Sequence, residues 1–261
     1  MAAQLSNRRR KEINALTRRS VRKEEGQTLV EGVRSVDAVL AAGAPLVDLV
    51  VAETARTDPD VQALCDRADV PVYVVPDREL AKLSDVRTSQ GILGVVETRY
   101  TGEEALPDVL SPTATVLVLD GVQDPGNVGT ILRTAAWFGA EHVVAGPGTA
   151  GLYGPKVMRA AMGGHWDVTL TRSADLGALL QRFRRAGLRL YGADLYGTRS
   201  SDWQPAQPSA LVLGSEAHGL SAPVQSAIDE PVAIPGASQR AGAESLNVAV
   251  AAGILIYEWT G

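Results

Sequence analysis

Residues 116–139 read VLVLDGVQDPGNVGTILRTAAWFG, and this stretch contains the change of pattern that decides the fold. Its first four residues are aliphatic and predict a buried strand, which ends at Asp120 and Gly121. Apolar residues then recur at helical spacing and predict a helix over 127–138. A strand that runs through a polar turn into a helix is the building unit of an α/β sheet, where ligands bind beyond the carboxyl ends of the strands.

Two later segments complement this pattern. Residues 211–221 read LVLGSEAHGLS, a second buried strand followed by a turn that contains a glycine and an acid. Residues 243–258 read AESLNVAVAAGILIYE, in which Glu244, Ser245 and Asn247 stand at the start of an apolar helix predicted over 244–258. Ser and Asn oxygens accept hydrogen bonds from the unpaired N–H groups of a helix start, so this segment alone describes a capped core helix.

Strand and helix patterns alternate along 115–261, which predicts a mostly parallel sheet with helices on both faces. The polar segments follow strand carboxyl ends, so we expect them to converge at one edge of the sheet. Residues 1–98 contain their own alternation of short helices and strands, and 99–114 are rich in Thr, Gly, Glu and Pro. The sequence therefore predicts a smaller α/β domain over 1–98, a linker over 99–114 and a second α/β domain over 115–261.

The charge of the chain is unevenly distributed. The net charge is −5 at pH 7, yet residues 1–23 contain eight basic residues and one acid, a net charge of +7 that leaves −12 for the remainder. A basic arm on an acidic body suits a local phosphate contact, although a solvated helix face or a disordered tail fits the same charges. With no membrane-spanning apolar run and no signal-peptide core after the start, we expect a cytoplasmic protein.

Cysteine and histidine usage argues against disulfide and metal chemistry. Cys65 is the only cysteine, and we expect it to be a packing residue in a helix. The histidines are scattered, and His218 suits a turn. Residues 146–151 read GPGTAG and match the dinucleotide-binding pattern GxGxxG, which is the single basis for a nucleotide-dependent oxidoreductase. Pro147 and a helix start delayed to Gly154 count against that site, because no helix N-terminus then lies on the phosphate position.

Together with Ile234 and Pro235, the three quoted segments resemble the three motifs of the SpoU (TrmH-type) family of RNA ribose 2′-O-methyltransferases, in the SPOUT superfamily. The motifs occur in family order over 115–258. The resemblance implies a trefoil knot formed by the chain beyond roughly Leu211, S-adenosyl-L-methionine as the methyl donor, and a homodimer with active sites near the subunit interface. Residues 1–98 look like the L30e-type domain that precedes the catalytic domain in many rRNA enzymes of this family, which implies 23S rRNA as the substrate.

The resemblance also implies which residues act, and it implies no metal. The catalytic residues that it implies are Asn127, Arg133, Glu216, Ser245 and Asn247. Cofactor contacts fall, largely through the backbone, to Ala193, Leu195, Leu213, Gly214, Ile234, Ser245 and Leu246. For RNA contacts we expect the basic residues Arg8, Arg9, Arg10, Lys11, Arg18, Arg19, Lys156 and Arg159. The loop over 86–91 suggests a further RNA contact, and it also fits a plain loop.

Arg133 is the first candidate for the chemistry, and its role has two interpretations. The resembling family casts this arginine as the base that takes the proton of the 2′-hydroxyl. Because arginine is effectively always protonated, stabilisation of charge on the oxygen, with proton loss to water or phosphate, stays open. We expect Asn127 and Glu216 to form a polar network that orients Arg133 and the ribose.

Two features depart from the family pattern, and three rival interpretations stay open. Ser215, Ala217 and His218 replace more usual residues of the second motif, and the loop over 236–242 is longer than the common form and lacks its usual Met. One rival is a tRNA 2′-O-methyltransferase, and another is a catalytically silent RNA-binding or ribosome-assembly protein. A third concerns the biological role, since antibiotic-resistance methyltransferases share this architecture.

Overall fold

A computed structural model describes residues 4–84, 89–104, 106, 111–237 and 244–261. The α-helices of these residues are α1 (Asn7–Ala15), α2 (Arg19–Glu25), α3 (Val33–Ala41), α4 (Pro59–Arg67), α5 (Asp77–Leu83), α6 (Pro125–Trp137), α7 (Pro155–Ala161), α8 (Leu176–Arg185), α9 (Ala222–Gln225) and α10 (Val248–Thr260). The strands are β1 (Gln27–Glu31), β2 (Leu46–Ala52), β3 (Val72–Val75), β4 (Ile92–Glu97), β5 (Thr115–Asp120), β6 (His142–Ala145), β7 (Thr169–Arg172), β8 (Arg189–Arg199), β9 (Ser209–Gly214) and β10 (Glu230–Ala233). None of these helices is both long and apolar enough to cross a bilayer.

The chain divides into two compact units. The first unit contains residues 1–99 and 153–166, and the second contains 100–152 and 167–261. The segment 153–166 includes α7, which packs against β1 within the first unit. The sequence predicts this segment in the second domain, and it joins the first unit because its contacts are made there.

The first unit is built on a mixed sheet with strand order β1-β4-β2-β3. β4 is antiparallel to both β1 and β2, while β2 and β3 are parallel. The helix α1 covers part of this sheet because Ile13, and Leu16 just beyond the helix, are fully buried in the same apolar cluster as Leu93 and Val95 of β4. In the helix α4, burial and the Asp66 carboxylate raise the pKa of the Cys65 thiol, so the thiol stays protonated near neutral pH.

Several basic residues before β1 form ion pairs within the first unit, so fewer of them are available for the predicted phosphate contact. Arg9 donates through Nε to Asp48 Oδ2 at 2.8 Å, and the Arg9 and Asp48 side chains are 23% and 6% exposed. Arg10 is 3.1 Å from the Glu79 carboxylate. Arg8 pairs with Glu12 on the surface of the helix. The arm is therefore a helix packed on the sheet, and the side chain of Arg9 anchors it there.

The second unit is built on a sheet with strand order β10-β8-β9-β5-β6-β7, in which every described pair of strands is parallel. The mixed α/β class with a parallel sheet, predicted from the sequence, is confirmed. Val118 and Val212 face a buried cluster with Phe183 of α8. Their neighbours along the strands point to the opposite side, where α10 packs on β9 and Trp259 Nε1 donates to Ser209 Oγ at 2.8 Å. The trefoil knot stays a prediction.

Three elements have boundaries that differ from the predicted ones. The helix predicted over 127–138 spans Pro125–Trp137, because Asp124 caps it and Pro125 suits the first helical position. The last helix begins at Val248 and not at 244, because Asn247 ends the preceding extended segment and caps the helix. The sequence predicts a strand over 188–193, whereas β8 spans Arg189–Arg199 because it resumes its pairing with β10 after a bulge. Ten residues of the predicted 99–114 and 236–242 segments lie outside the described residues, namely 105, 107–110 and 238–242, and so do 86–88 of the loop over 86–91.

The Arg9–Asp48 pair supports a stability prediction. Arg9→Met keeps the aliphatic stem but leaves the Asp48 carboxylate buried without its guanidinium, so we expect a loss of about 2–3 kcal/mol of unfolding free energy. Chemical denaturation would measure it. Arg8→Met is the matched control, because the Arg8 side chain is 90% exposed and its loss should leave stability nearly unchanged. Equal destabilisation by the two variants would show that the pair is not the anchor of α1.

Candidate active site

Three motif side chains form a continuous hydrogen-bonded relay in the second unit. Asn127 Nδ2 donates to Glu216 Oε1 at 2.9 Å, and Asn247 Nδ2 donates to Asn127 Oδ1 at 3.1 Å. Asn247 Oδ1 in turn accepts from the backbone N–H groups of Ala249 and Val250, at 2.9 and 3.3 Å. The relay therefore joins three segments of the chain, with Glu216 and Asn247 standing 89 and 120 residues after Asn127.

The relay has one consistent direction. An ionised Glu216 carboxylate can only accept, so Asn127 must present its NH₂ group to Glu216 and its oxygen to Asn247. Asn247 must then present its NH₂ group to Asn127 and its oxygen to the N-terminus of α10, where unpaired N–H groups need an acceptor. Each amide thus uses both of its ends, and the orientation of one side chain determines the orientation of the next.

Local structure places the two asparagines at helix starts. Asp124 caps α6, since its Oδ1 accepts from Asn127 N at 2.9 Å, and Pro125 occupies the first helical position. Asn127 therefore lies in the first turn of α6, directly beyond the carboxyl end of β5. Asn247 is itself the cap of α10. The two caps therefore fix the positions of the Asn127 and Asn247 side chains at the starts of their helices.

The turn after β9 presents Glu216. Ser215 and Gly219 form an antiparallel bridge, and Ser215 Oγ accepts from the N–H groups of Ala217 and His218 at 3.3 and 3.2 Å. Gly214 is required by this turn, because a Cβ atom there would lie 2.3 Å from the carbonyl carbon of Gly219. The backbone of the turn thus supplies a reason for Gly214 that is independent of any ligand, and His218 is a turn residue as predicted.

Asp120 is a site residue that was not predicted from the sequence motifs. It is buried at the end of β5, and its Oδ2 accepts from Ser221 N at 2.6 Å, across 101 residues of sequence. Gln123 N also reaches the Glu216 carboxylate, at 3.4 Å. In the sequence, the signal for this residue is an acid placed directly after the aliphatic run 116–119. A carboxylate buried at a strand end needs partners, and nearby backbone N–H groups supply them. Asp120 ties the turn that carries Glu216 to the strand that leads to Asn127.

Arg133 is not part of the relay. It is exposed and makes no hydrogen bond or ion pair with any residue that the structure describes. It lies six residues after Asn127, about 9 Å along the axis of α6 and about 120° around it. The expectation that Asn127 and Glu216 orient Arg133 is therefore not met within the second unit. Arg133 shares its helix face instead with Trp137, four residues on, whose side chain is 83% exposed.

Residues 114–257 match the model of the SpoU rRNA Methylase family, and residues 7–94 match that of an MRM3-like substrate binding domain. The first match covers more than half of the chain and contains the whole relay. The chain belongs to the SpoU rRNA methylase family.

Individual SpoU relatives match over nearly the whole chain. The 23S rRNA (guanosine(2553)-2′-O)-methyltransferase RlmP of Bacillus subtilis is 30% identical over 98% of this chain and 97% of its own length. The SpoU methyltransferase AviRb of Streptomyces viridochromogenes, crystallised with AdoMet, superposes with a TM-score of 0.86 at 26% identity, over 98% of this chain and 97% of its own. An AdoMet-bound rRNA methyltransferase of Sinorhizobium meliloti superposes with a TM-score of 0.83 at 27% identity, over 99% and 95%.

The expected cofactor residues of this SpoU protein lie on neighbouring strands. β10, β8 and β9 are adjacent and parallel, so their carboxyl ends share one edge. That edge contains Ala193 and Leu195 in the bulge of β8, Leu213 and Gly214 at the end of β9, and Ile234 after β10. Ser245 and Leu246 are exposed just before α10. Leu213 is only 1% exposed, so any cofactor contact from it would come from its backbone.

The expected RNA contacts all lie in the first unit, on or beside α1, α2 and α7. Lys11, Arg18 and Arg19 are exposed on or beside the first two helices. Lys156 is exposed on α7, and Arg159 on the same helix is partly buried. Residues 146–151 do not form a dinucleotide site, because Thr149 Oγ1 instead accepts from Gly121 N and donates to Leu119 O, and the next helix begins only at Pro155.

The Asp120 contact supports a prediction for this SpoU site. Asp120→Ala leaves the Ser221 N–H group without its acceptor and releases the turn of Glu216, so we expect a loss of about 1–3 kcal/mol of stability and a lower kcat. Asp120→Asn keeps an oxygen that can accept from Ser221 and should retain most of both. Denaturation and steady-state kinetics would measure the two variants. A wild-type kcat in the alanine variant would show that Asp120 does not support the geometry of the site.

Proposed function

We propose that this chain transfers the methyl group of S-adenosyl-L-methionine to a ribose 2′-hydroxyl of 23S rRNA, in the cytoplasm. The relay of Glu216, Asn127 and Asn247 is the single observation that carries the proposal, because it places the motif residues of the family in mutual contact. Support for the substrate comes from the RlmP relative, whose name specifies 23S rRNA and a 2′-O position, and which matches nearly the full length of this chain.

The relay would hold the ribose rather than perform the proton transfer. Glu216 has a carboxylate oxygen that can accept from a ribose hydroxyl, while Asn127 keeps that carboxylate oriented. Ser245, exposed beside Asn247, supplies a hydroxyl near the same point. Holding the reacting oxygen in line with the methyl carbon accounts for much of the rate of such a displacement.

The carboxyl edge of β8, β9 and β10 suits the methyl donor. S-adenosyl-L-methionine supplies an activated methyl group on a sulfonium ion. Partly buried Ile234 and exposed Leu246 offer apolar contacts for an adenine ring, and the backbone at Gly214 is accessible at the strand end. Apolar walls with a few backbone donors and acceptors are typical of adenosine pockets.

Arg133 would act as a charge stabiliser in a dimer. An arginine that keeps its proton can stabilise negative charge as it develops on the 2′ oxygen, or bind the adjacent phosphate. Because Arg133 lies about 9 Å along α6 from Asn127 and makes no hydrogen bond or ion pair with the described residues of its own chain, we propose that it serves the relay of a second copy.

The helices α6 and α10 offer the surface for that second copy. Trp137, Val250, Ile254 and Tyr257 are exposed large apolar side chains, which we call the α6–α10 patch. Val250, Ile254 and Tyr257 are spaced to share one face of α10, and Phe138 packs edge-on against Tyr257 with ring centroids 5.8 Å apart. Contiguous exposed apolar surface of this kind marks an interface, and Arg133 lies beside it.

Transfer of labelled methyl groups tests the proposed activity. We expect the wild type to label unmodified 23S rRNA but not tRNA, and Arg133→Ala to lower kcat by about 10²- to 10³-fold, since it removes one charge-stabilising group. The variant should bind S-adenosyl-L-methionine as well as the wild type does. Label in tRNA alone would show that the substrate is tRNA and not 23S rRNA. No label, despite cofactor binding, would favour a catalytically silent RNA-binding protein.

A substitution in the α6–α10 patch tests the dimer. Trp137→Glu places a charge in the proposed interface, so we expect a dimer in the wild type to become a monomer with little activity. Trp137→Phe keeps an aromatic side chain and should remain dimeric. Light scattering after size exclusion would measure the mass of each. A monomeric and fully active wild type would overturn both the dimer and the placement of Arg133 in a partner's site.

A further inference from the structure

The bulge of β8 presents an aromatic ring that the activity described so far does not use. Gly192 pairs with Pro231 of β10, and the next pair joins Thr198 to Val232, so residues 193–197 have no counterpart in β10. Tyr196 lies in this bulge with 82% of its surface exposed. Leu195 beside it is also exposed, at 61%, and adjoining exposed apolar side chains of this kind indicate a binding surface.

The backbone of the bulge holds this ring in place. Tyr196 N donates to Asp194 Oδ1 at 3.1 Å, which closes a local turn. Gly197 has φ of +152°, and a Cβ atom there would lie 2.3 Å from Pro231 O. The chain can therefore return to the sheet in this tight form only with glycine after Tyr196. The loop that carries the ring therefore has a defined backbone, which resumes its pairing with β10 at Thr198.

Tyr196 lies at the same edge of the sheet as the relay. β8 and β9 are parallel neighbours, and their last pair is Gly192 with Val212. Tyr196 and Glu216 each stand four residues beyond this pair, at the carboxyl ends of strands that are about 4.8 Å apart. An RNA strand bound at Glu216 is therefore within reach of the bulge.

The surroundings of Tyr196 favour RNA over a second protein copy. Arg199 follows on the same strand, is exposed, and makes no hydrogen bond or ion pair with any described residue. Aromatic rings beside unpaired guanidinium groups suit unpaired RNA, where bases stack on the rings and phosphates bind the cations. The centre of a protein interface is instead depleted in charged residues.

We propose that the Tyr196 ring stacks on an unpaired nucleobase at the methylation site, while Arg199 binds a neighbouring phosphate. This inference rests on the proposed function, and it assigns to the bulge the task of holding the RNA strand next to the relay. The contact is independent of base identity, because every base has a face on which the ring can stack.

Binding of the full-length protein to an unmodified 23S rRNA transcript tests the inference. Tyr196→Phe keeps the ring and should keep the RNA affinity within about twofold, whereas Tyr196→Leu keeps apolar volume without a ring and should weaken it at least about fivefold. Affinity for S-adenosyl-L-methionine and the oligomeric state should not change in either variant. Arg199→Gln should lower the slope of log affinity against log salt by about 0.7, which Tyr196→Leu should not do.

Each other outcome overturns the inference. Equal RNA affinity of the Phe and Leu variants would show that the ring does not stack. Loss of cofactor binding in Tyr196→Leu would assign the ring to the methyl donor, and loss of the oligomer would assign it to an interface. If the wild type methylates 23S rRNA and Tyr196→Leu binds normally, only this inference fails. If the wild type methylates no rRNA, the proposed function fails and this inference fails with it.

Discussion

The side-chain amide of Asn127 is the point through which the motifs of this protein meet. It donates to Glu216 and accepts from Asn247, so it connects the turn after β9 and the N-terminus of α10 to the first turn of α6. An amide can do this because it has a donor and an acceptor on opposite sides of one rigid group. A carboxylate at the same position would face Glu216 with like charge, and an aliphatic side chain would leave both partners without a bond.

The parallel sheet makes this meeting possible. All described strand pairs of the second unit run in one direction, so chain segments that are distant in sequence end at one edge. Asp120 also stabilises this arrangement, because its carboxylate accepts a hydrogen bond from Ser221 N and so fixes the turn of Glu216 against the end of β5. The polar groups of the relay are thus satisfied by each other and by the start of α10.

Much of this organisation was predictable from the sequence, and the failures have physical causes. The strand 115–120 and the parallel sheet follow from apolar runs with regular turn signals, and both were predicted. The relay of Asn127 and Glu216 was predicted because both residues follow strand ends. The bulge of β8 was not, because its residues resemble an ordinary loop and only the resumed pairing at Thr198 reveals it.

Residues with two possible tasks were the hardest to assign. Arg9 was expected to contact RNA, yet a buried partner 39 residues away binds its guanidinium, and charge patterns cannot show such a pairing. Leu213 was expected to contact the cofactor, but strand alternation turns its side chain into the core and leaves only its backbone for such a contact. Arg133 belongs to the motif in sequence but not to the relay in space, which directs attention to a second copy of the chain.

The position of the transferred methyl group is the most direct test of the account. Unmodified 23S rRNA would be incubated with S-adenosyl-L-methionine that carries a deuterated methyl group, then digested to nucleosides and examined by mass spectrometry. The account predicts that the wild type puts the label on a ribose 2′ oxygen, and that Asn127→Leu, which breaks both bonds of the relay, puts it nowhere. Label on a base, or equal ribose label with the Asn127→Leu variant, would contradict the account.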